Sequence, residues 1–205
     1  MTIAKKSLIT NLDGCLCDLS ETYYRVIEKN LNAENLTMST EKKIAIGIGL
    51  EQTLTLYGLN ASSARLRKIC DRIVDESIIE LDKSFQADPA VFSQLEKLKL
   101  CKVRLVLNSA VPAKVVFHVL ELLNCINFFE FIFAGEDLAV HPPDPGFYTN
   151  ALFALGESPR QTVIACGSHA SLVAATKSGA HLVRIQHPHL LQQNLNELFH
   201  LTVET

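Results

Sequence analysis

Leu8-Ile9-Thr10-Asn11-Leu12-Asp13-Gly14-Cys15-Leu16 is the stretch on which the reading of this chain turns. A short apolar run enters it, a polar Asn11 interrupts it, and Asp13-Gly14 supplies a turn. A continuous apolar run bounded by a turn signal reads as a buried strand. Working outward, four more such runs occur at 103–108, 131–134, 162–166 and 181–185, the first being 7–11. They are apolar at nearly every position, as strands covered on both faces are. Helical patterns lie between them, over 89–98, 112–123 and 171–178. Strands alternating with helices predict an α/β core with a doubly wound parallel sheet, whose ligands bind beyond the strands' carboxyl ends.

The gap between the first two strands departs from this rhythm. Residues 18–85 carry helical patterns and no convincing strand. Ser20-Glu21-Thr22-Tyr23 opens one helix and Ser39-Thr40-Glu41-Lys42 another, with Ser39 or Thr40 as N-cap. Gly47, Gly49 and Gly58 punctuate the segment; Gly47-Ile48-Gly49 lacks the third glycine and the preceding strand of a dinucleotide fingerprint. The expected organisation is a core of 1–17 and 86–205, with 18–85 as a small α-helical cap inserted after strand 1. The tail, 187–205, reads as a short helix over 190–201.

Composition narrows the function. The chain has 205 residues, 48% of them apolar, enough for one domain with a modest insertion. A net charge of −3 without a basic block gives nucleic-acid binding no electrostatic support. No apolar run reaches the roughly 20 residues that span a bilayer. Asn11 and Asp13 break the apolar stretch after Lys5 and Lys6, which argues against a signal peptide. The six cysteines follow neither a zinc nor a disulfide spacing, pointing to reduced thiols and a cytoplasmic protein.

The opening stretch resembles the first motif of the haloacid dehalogenase superfamily, a strand followed by Asp-x-Asp-Gly. The resemblance extends over nearly the whole chain, and the cap placement is that of the first subclass, which includes β-phosphoglucomutase and phosphoglycolate phosphatase. It implies that the first acidic position attacks phosphorus and the second serves as general acid and base. Asp13 keeps the second; the attacking position is Asn11, whose amide is a very poor nucleophile. The second motif implies a strand ending in a Thr or Ser that holds a phosphate oxygen. Leu107-Asn108-Ser109 matches it with Leu107 in the hydroxyl position, and a one-residue shift offers Ser109 instead. The third motif implies a Lys before Pro-x-Pro-x-x-Tyr; Pro142 replaces it in Pro142-Pro143-Asp144-Pro145-Gly146-Phe147-Tyr148, with His141 beside it. The fourth implies an acidic residue after a strand and Gly. Here Gly167-Ser168-His169 follows the strand, and the second, optional acidic position is Leu172.

The resemblance implies Mg²⁺ held by the nucleophilic Asp, the motif-four Asp and a backbone carbonyl. With Asn11 and Ser168 in two of those places the expectation is no cofactor, since Mg²⁺ prefers hard oxygens including carboxylates. The expected function is therefore a pseudophosphatase that binds an unidentified protein or a small anionic ligand, held by backbone N–H groups near Leu12, Asp13, Asn108, Ser109 and His169. The alternative is a hydrolase of a small phosphorylated metabolite in which Asp13 activates water. Asp13 is equally readable as a turn residue bonding nearby amides, and Asn11 as a polar plug. Ser168-His169 is not a hydrolytic dyad, because adjacent side chains seldom point at each other and no orienting acid is evident. A scaffold role for the Phe-rich 128–133 competes with its reading as the third strand.

Overall fold

A computed structural model describes residues 5–37, 48–135 and 138–188, together with Leu191, Leu195, Leu198 and Phe199. Five parallel strands, β1 (Ser7–Thr10), β2 (Arg104–Ser109), β3 (Phe131–Ala134), β4 (Thr162–Cys166) and β5 (His181–Arg184), form one sheet in the order β3-β2-β1-β4-β5. All five occupy the stretches that the sequence predicts, within a residue at each end. The chain steps one way from β1 to β2 and the other way to β4, so β1 stands at the switch point of the sheet. In such sheets the crevice opens beyond the carboxyl ends at that point.

The apolar-throughout pattern has its physical reason in two cores. Leu8, Leu105, Leu107, Val163 and Ala165 point into one buried cluster, and Ile9, Val106, Ile164 and Cys166 into another on the opposite face. Successive side chains alternate between faces, so the middle of a strand covered twice favours apolar residues, and the buried polar ones stand at the strand ends, Thr10, Asn108 and Ser109 at the carboxyl edge. Ser7 and Thr162 stand at the foot of the sheet, within hydrogen-bond distance of each other at 3.0 Å. There Arg104 also pairs with Glu130 and Glu157, far from the strands' carboxyl ends.

Helices α4 (Pro89–Leu100), α5 (Ala113–Leu122), α6 (Thr149–Leu155) and α7 (His169–Ala175) link the strands. Asp88 caps α4 by accepting the Ala90 N–H at 2.9 Å, and Pro89 occupies the first turn, where no donor is needed. The pattern at 171–178 begins two residues earlier than the sequence suggests, because Ser168 caps α7. Phe131 to Phe133 are strand residues, with only partial exposure.

Helices α1 (Ser20–Ala33), α2 (Leu50–Leu56) and α3 (Ser63–Ser84) fill the insertion between β1 and β2. Helix α1 presents Tyr23, Val26, Ile27 and Leu31 on one face, and α3 presents Ile69, Ile73, Val74 and Leu81. These stripes at helical spacing pack the two helices together and onto the core cluster. Helix α3 meets α5 through an ion pair of Asp75 with Lys114 at 2.5 Å and a contact of Asp82 with His118 at 2.9 Å. The expected helix start at Ser39-Thr40 and most of the expected tail helix lie outside the described residues. Among the described residues no helix is long and apolar enough to cross a membrane.

Candidate functional site

Asn11 lies one residue past β1 and is buried. Both ends of its amide are engaged. Its Nδ2 donates to the Asn108 carbonyl at 2.5 Å, and its Oδ1 accepts the Tyr148 hydroxyl at 3.2 Å. Its own N–H reaches the Ala165 carbonyl on β4, which ties it between both neighbouring strands. The amide therefore knits the ends of β1 and β2 together beneath a tyrosine.

Tyr148 closes over this amide from the stretch of the third motif. The Asp144 carboxylate accepts the Gly146 N–H at 2.7 Å and starts a 3₁₀ turn over Pro145–Tyr148. That turn drives Phe147 and Tyr148, both buried, onto the sheet. The Tyr148 hydroxyl also stands 3.3 Å from the Cys166 thiol. Burial holds the Tyr148 hydroxyl well above its ordinary pKa, pushes Cys166 up to about 11 and raises Cys15 as well. The thiols nearest Asn11 are thus protonated at neutral pH, and a thiol in that state does not replace a missing nucleophile. Tyr148 belongs to the Pro-x-Pro-x-x-Tyr stretch, which is the signal by which its place in the site could have been found.

Asp13 occupies the turn after β1, only partly exposed. Its Oδ1 accepts the Leu19 N–H at 2.7 Å. Desolvation dominates its titration and raises it to about 7; the Leu19 hydrogen bond opposes this, and the nearby Asp18 charge adds to it. The carboxyl thus holds the turn, and it also titrates near neutrality. Behind it, the loops after β1 and β4 touch through glycine. A Cβ placed on Gly167 would lie 2.6 Å from the Gly14 Cα and 2.8 Å from the Asp13 carbonyl oxygen.

Ser168 spends its hydroxyl on α7. Its Oγ accepts the Ser171 N–H at 3.0 Å and donates to the Ser171 hydroxyl at 2.9 Å. His169, next along, is exposed, and Leu172 packs partly buried against the apolar cluster of Tyr148. Ser168 and His169 form no hydrogen bond with each other among the described residues.

Leu107 points into the core from within β2, whereas Ser109 ends the strand and bonds the Val111 N–H at 3.3 Å. The carboxyl-edge hydroxyl is that of Ser109, two residues beyond Leu107. Asn108 is buried; its Nδ2 donates to the Phe147 carbonyl at 3.0 Å, and its Oδ1 has no partner among the described residues. Pro142 is buried and joined to Pro143 by a cis peptide bond, with His141 beside it. Asn11, Asn108, Tyr148 and the Asp13 turn gather at the strand ends, while Leu107 does not face them.

A cleft of about 460 Å³ opens beside these groups, between the insertion and the loops after β2 and β3. Glu51, Gln52, Arg67 and Asp71 from α2 and α3 line it above Val74 and Leu138. Neither Asn11 nor Asp13 is part of its wall. The sequence marked 18–85 as helical but carried no sign of which polar residues meet across a cleft.

The donor set is a poor match for the divalent metal that the motifs imply. The Asn11 Oδ1 already accepts from Tyr148, the Ser168 hydroxyl caps a helix, and the Asp13 Oδ1 accepts from Leu19. Among the described residues no three His, Cys, Asp or Glu side chains cluster as metal ligands would.

The model of the family described as haloacid dehalogenase-like hydrolase matches residues 8–185, and the chain belongs to that family. It is 23% identical over 181 residues to a phosphoglycolate phosphatase of Aquifex aeolicus, covering 84% of this chain and 80% of that one. The fold resembles the crystal structure of β-phosphoglucomutase from Clostridium difficile, with a TM-score of 0.82 at 16% identity over 96% and 97% of the two chains. It also resembles CbbY from Rhodobacter sphaeroides in complex with phosphate, with a TM-score of 0.77 at 17% identity over 88% and 85%.

Proposed function

We propose that this member of the haloacid dehalogenase-like hydrolases has lost phosphoryl transfer and works by binding, as a pseudophosphatase. The observation that carries the reading is Asn11 with both ends of its amide in hydrogen bonds. An amide lone pair is delocalised, and here it is also committed, so no attacking atom stands at the strand end. Loss of a single nucleophile from a catalytic unit costs on the order of 10⁶ in rate. Phosphoryl transfer further needs charge neutralised over the equatorial oxygens. Pro142 offers none, and neutral Asn11 and Ser168 do not offset the dehydration of Mg²⁺; we therefore assign the protein no metal cofactor. The partner remains a small ligand or a protein, and the free cysteines suit a cytoplasmic setting.

One observation favours a second reading, hydrolysis of a small phosphorylated metabolite. Asp13 titrates at about 7, the range in which a general acid or base is most effective. The two readings part in one assay: hydrolysis of an aryl phosphate and of sugar and nucleotide phosphates, with Mg²⁺ and with chelator, beside Asp13→Ala. Equal background rates in both proteins support the pseudophosphatase. Turnover that disappears in Asp13→Ala overturns it in favour of the hydrolase.

A further inference from the structure

The charges of α3 divide into two groups. Arg65 and Arg72 pair with Glu34, Glu76 with Lys29, Glu80 with Lys83 and Asp75 with Lys114, and Asp82 lies against His118. Arg67 and Asp71 have no ion pair or side-chain hydrogen bond among the described residues, although their i, i+4 spacing would let them meet on the helix surface. They share one face with Val74, at i+7, and that face lines the cleft. From α2, Glu51 and Gln52 line the same cleft, and Glu51 likewise has no ion pair among the described residues. Lys68 is similarly unpaired but is not among the lining residues.

We infer that this cleft binds a small zwitterion of the α-amino-acid class, its carboxylate on Arg67 and its ammonium on Asp71 and Glu51, over an apolar floor of Val74 and Leu138. The inference rests on the reading of the protein as a binding member of its family, and adds the ligand class. Charge decides the class. A phosphomonoester dianion would gain Arg67 but face two carboxylates, and a simple diamine would gain the carboxylates but face Arg67. Like charges brought together in a site are costly, whereas a ligand with both signs meets a partner for each. The guanidinium fork matches a carboxylate with two parallel hydrogen bonds. A volume of about 460 Å³ lies in the range of small-molecule sites. A bulky side chain on the ligand would rest against Val74 and Leu138.

Calorimetric titration with the common L-α-amino acids tests this, with putrescine, succinate and glucose 1-phosphate as probes that lack one of the two charges. At least one amino acid is expected to bind more tightly than all three probes. Arg67→Gln and Asp71→Asn each weaken that binding by about tenfold or more, the loss of one charged hydrogen bond. Lys68→Gln leaves it unchanged. All three positions are exposed, so the variants keep the fold. Binding of no amino acid, equal binding to the Arg67 and Asp71 variants, or a tighter complex with any probe overturns the inference. Phosphate-ester turnover would remove the pseudophosphatase reading and leave this titration standing. Silence in the titration with no turnover removes the ligand class alone.

Discussion

The Tyr148 hydroxyl donates to the Asn11 side-chain oxygen at 3.2 Å, while the other end of the same amide donates to the Asn108 carbonyl at 2.5 Å. One neutral side chain thereby satisfies an acceptor on β2 and a donor on the 3₁₀ turn of Tyr148. A carboxylate could accept from Tyr148, but it could not donate to Asn108.

Asn11→Asp follows directly. At pH 8 the ionised side chain would face the Asn108 carbonyl with no proton between them, and the buried acceptor would lose its partner. We expect a destabilisation of about 2–3 kcal/mol, measured by urea unfolding. The loss should be smaller at pH 5, where a protonated carboxyl can donate again; its folded pKa is raised, so the deficit grows as pH rises. Phosphatase activity should stay at the wild-type background. Clear turnover by this single variant would show that the rest of the site is competent.

Asp13 makes the stability of the wild-type protein pH-dependent. Its carboxyl titrates at about 7 in the folded protein against 3.8 as the ordinary value. Between those values the folded state holds a proton that the unfolded state has released, so stability falls as pH rises and levels off above about 7. Asp13→Asn keeps an oxygen for the Leu19 N–H and removes the titration. Unfolding free energies measured from pH 4 to 8 should decline more steeply in the wild type than in this variant. Parallel curves would mean that Asp13 is well solvated.

Gly167→Ala should be among the more damaging small substitutions in the core. The added carbon meets the Gly14 Cα at 2.6 Å and the Asp13 carbonyl oxygen at 2.8 Å, and both are backbone atoms that cannot swing aside. A loss of about 2–3 kcal/mol is expected, as for overpacking. Gly156→Ala is the comparison. It ends α6 at φ 63 with open space around it, so only left-handed strain is felt, about 1–2 kcal/mol. Denaturant midpoints of the two variants check the order.

The three central strands, β1, β2 and β4, were legible because they are buried on both faces, which favours a long apolar run, whereas the edge strands β3 and β5 are only partly buried. The helical pattern from Pro89 placed α4, but its cap, Asp88, came to light only in the structure. The end of β1 was also marked, since Asn11 and Asp13 are polar residues placed where a buried strand has just finished. Ser168 illustrates the limit. Its identity announced a missing carboxylate, yet its work as the N-cap of α7 appeared only when Ser171 was seen above it. Leu107 and Ser109 show the same limit, because the place where β2 ends decides which of them reaches the carboxyl edge.

By itself the sequence determined the doubly wound sheet, the helical insertion and the absence of an acidic residue at position 11. These depend on periodicity and on residue identity, which are written along the chain. Only the tertiary structure decided that Tyr148 and Asn108 close around Asn11, that Gly14 and Gly167 touch, and that Arg67, Asp71 and Glu51, without ion-pair partners among the described residues, line one cleft. Those facts join residues far apart in the chain or on different elements. They follow from the packing of the elements and the directions of individual side chains, which local pattern does not encode.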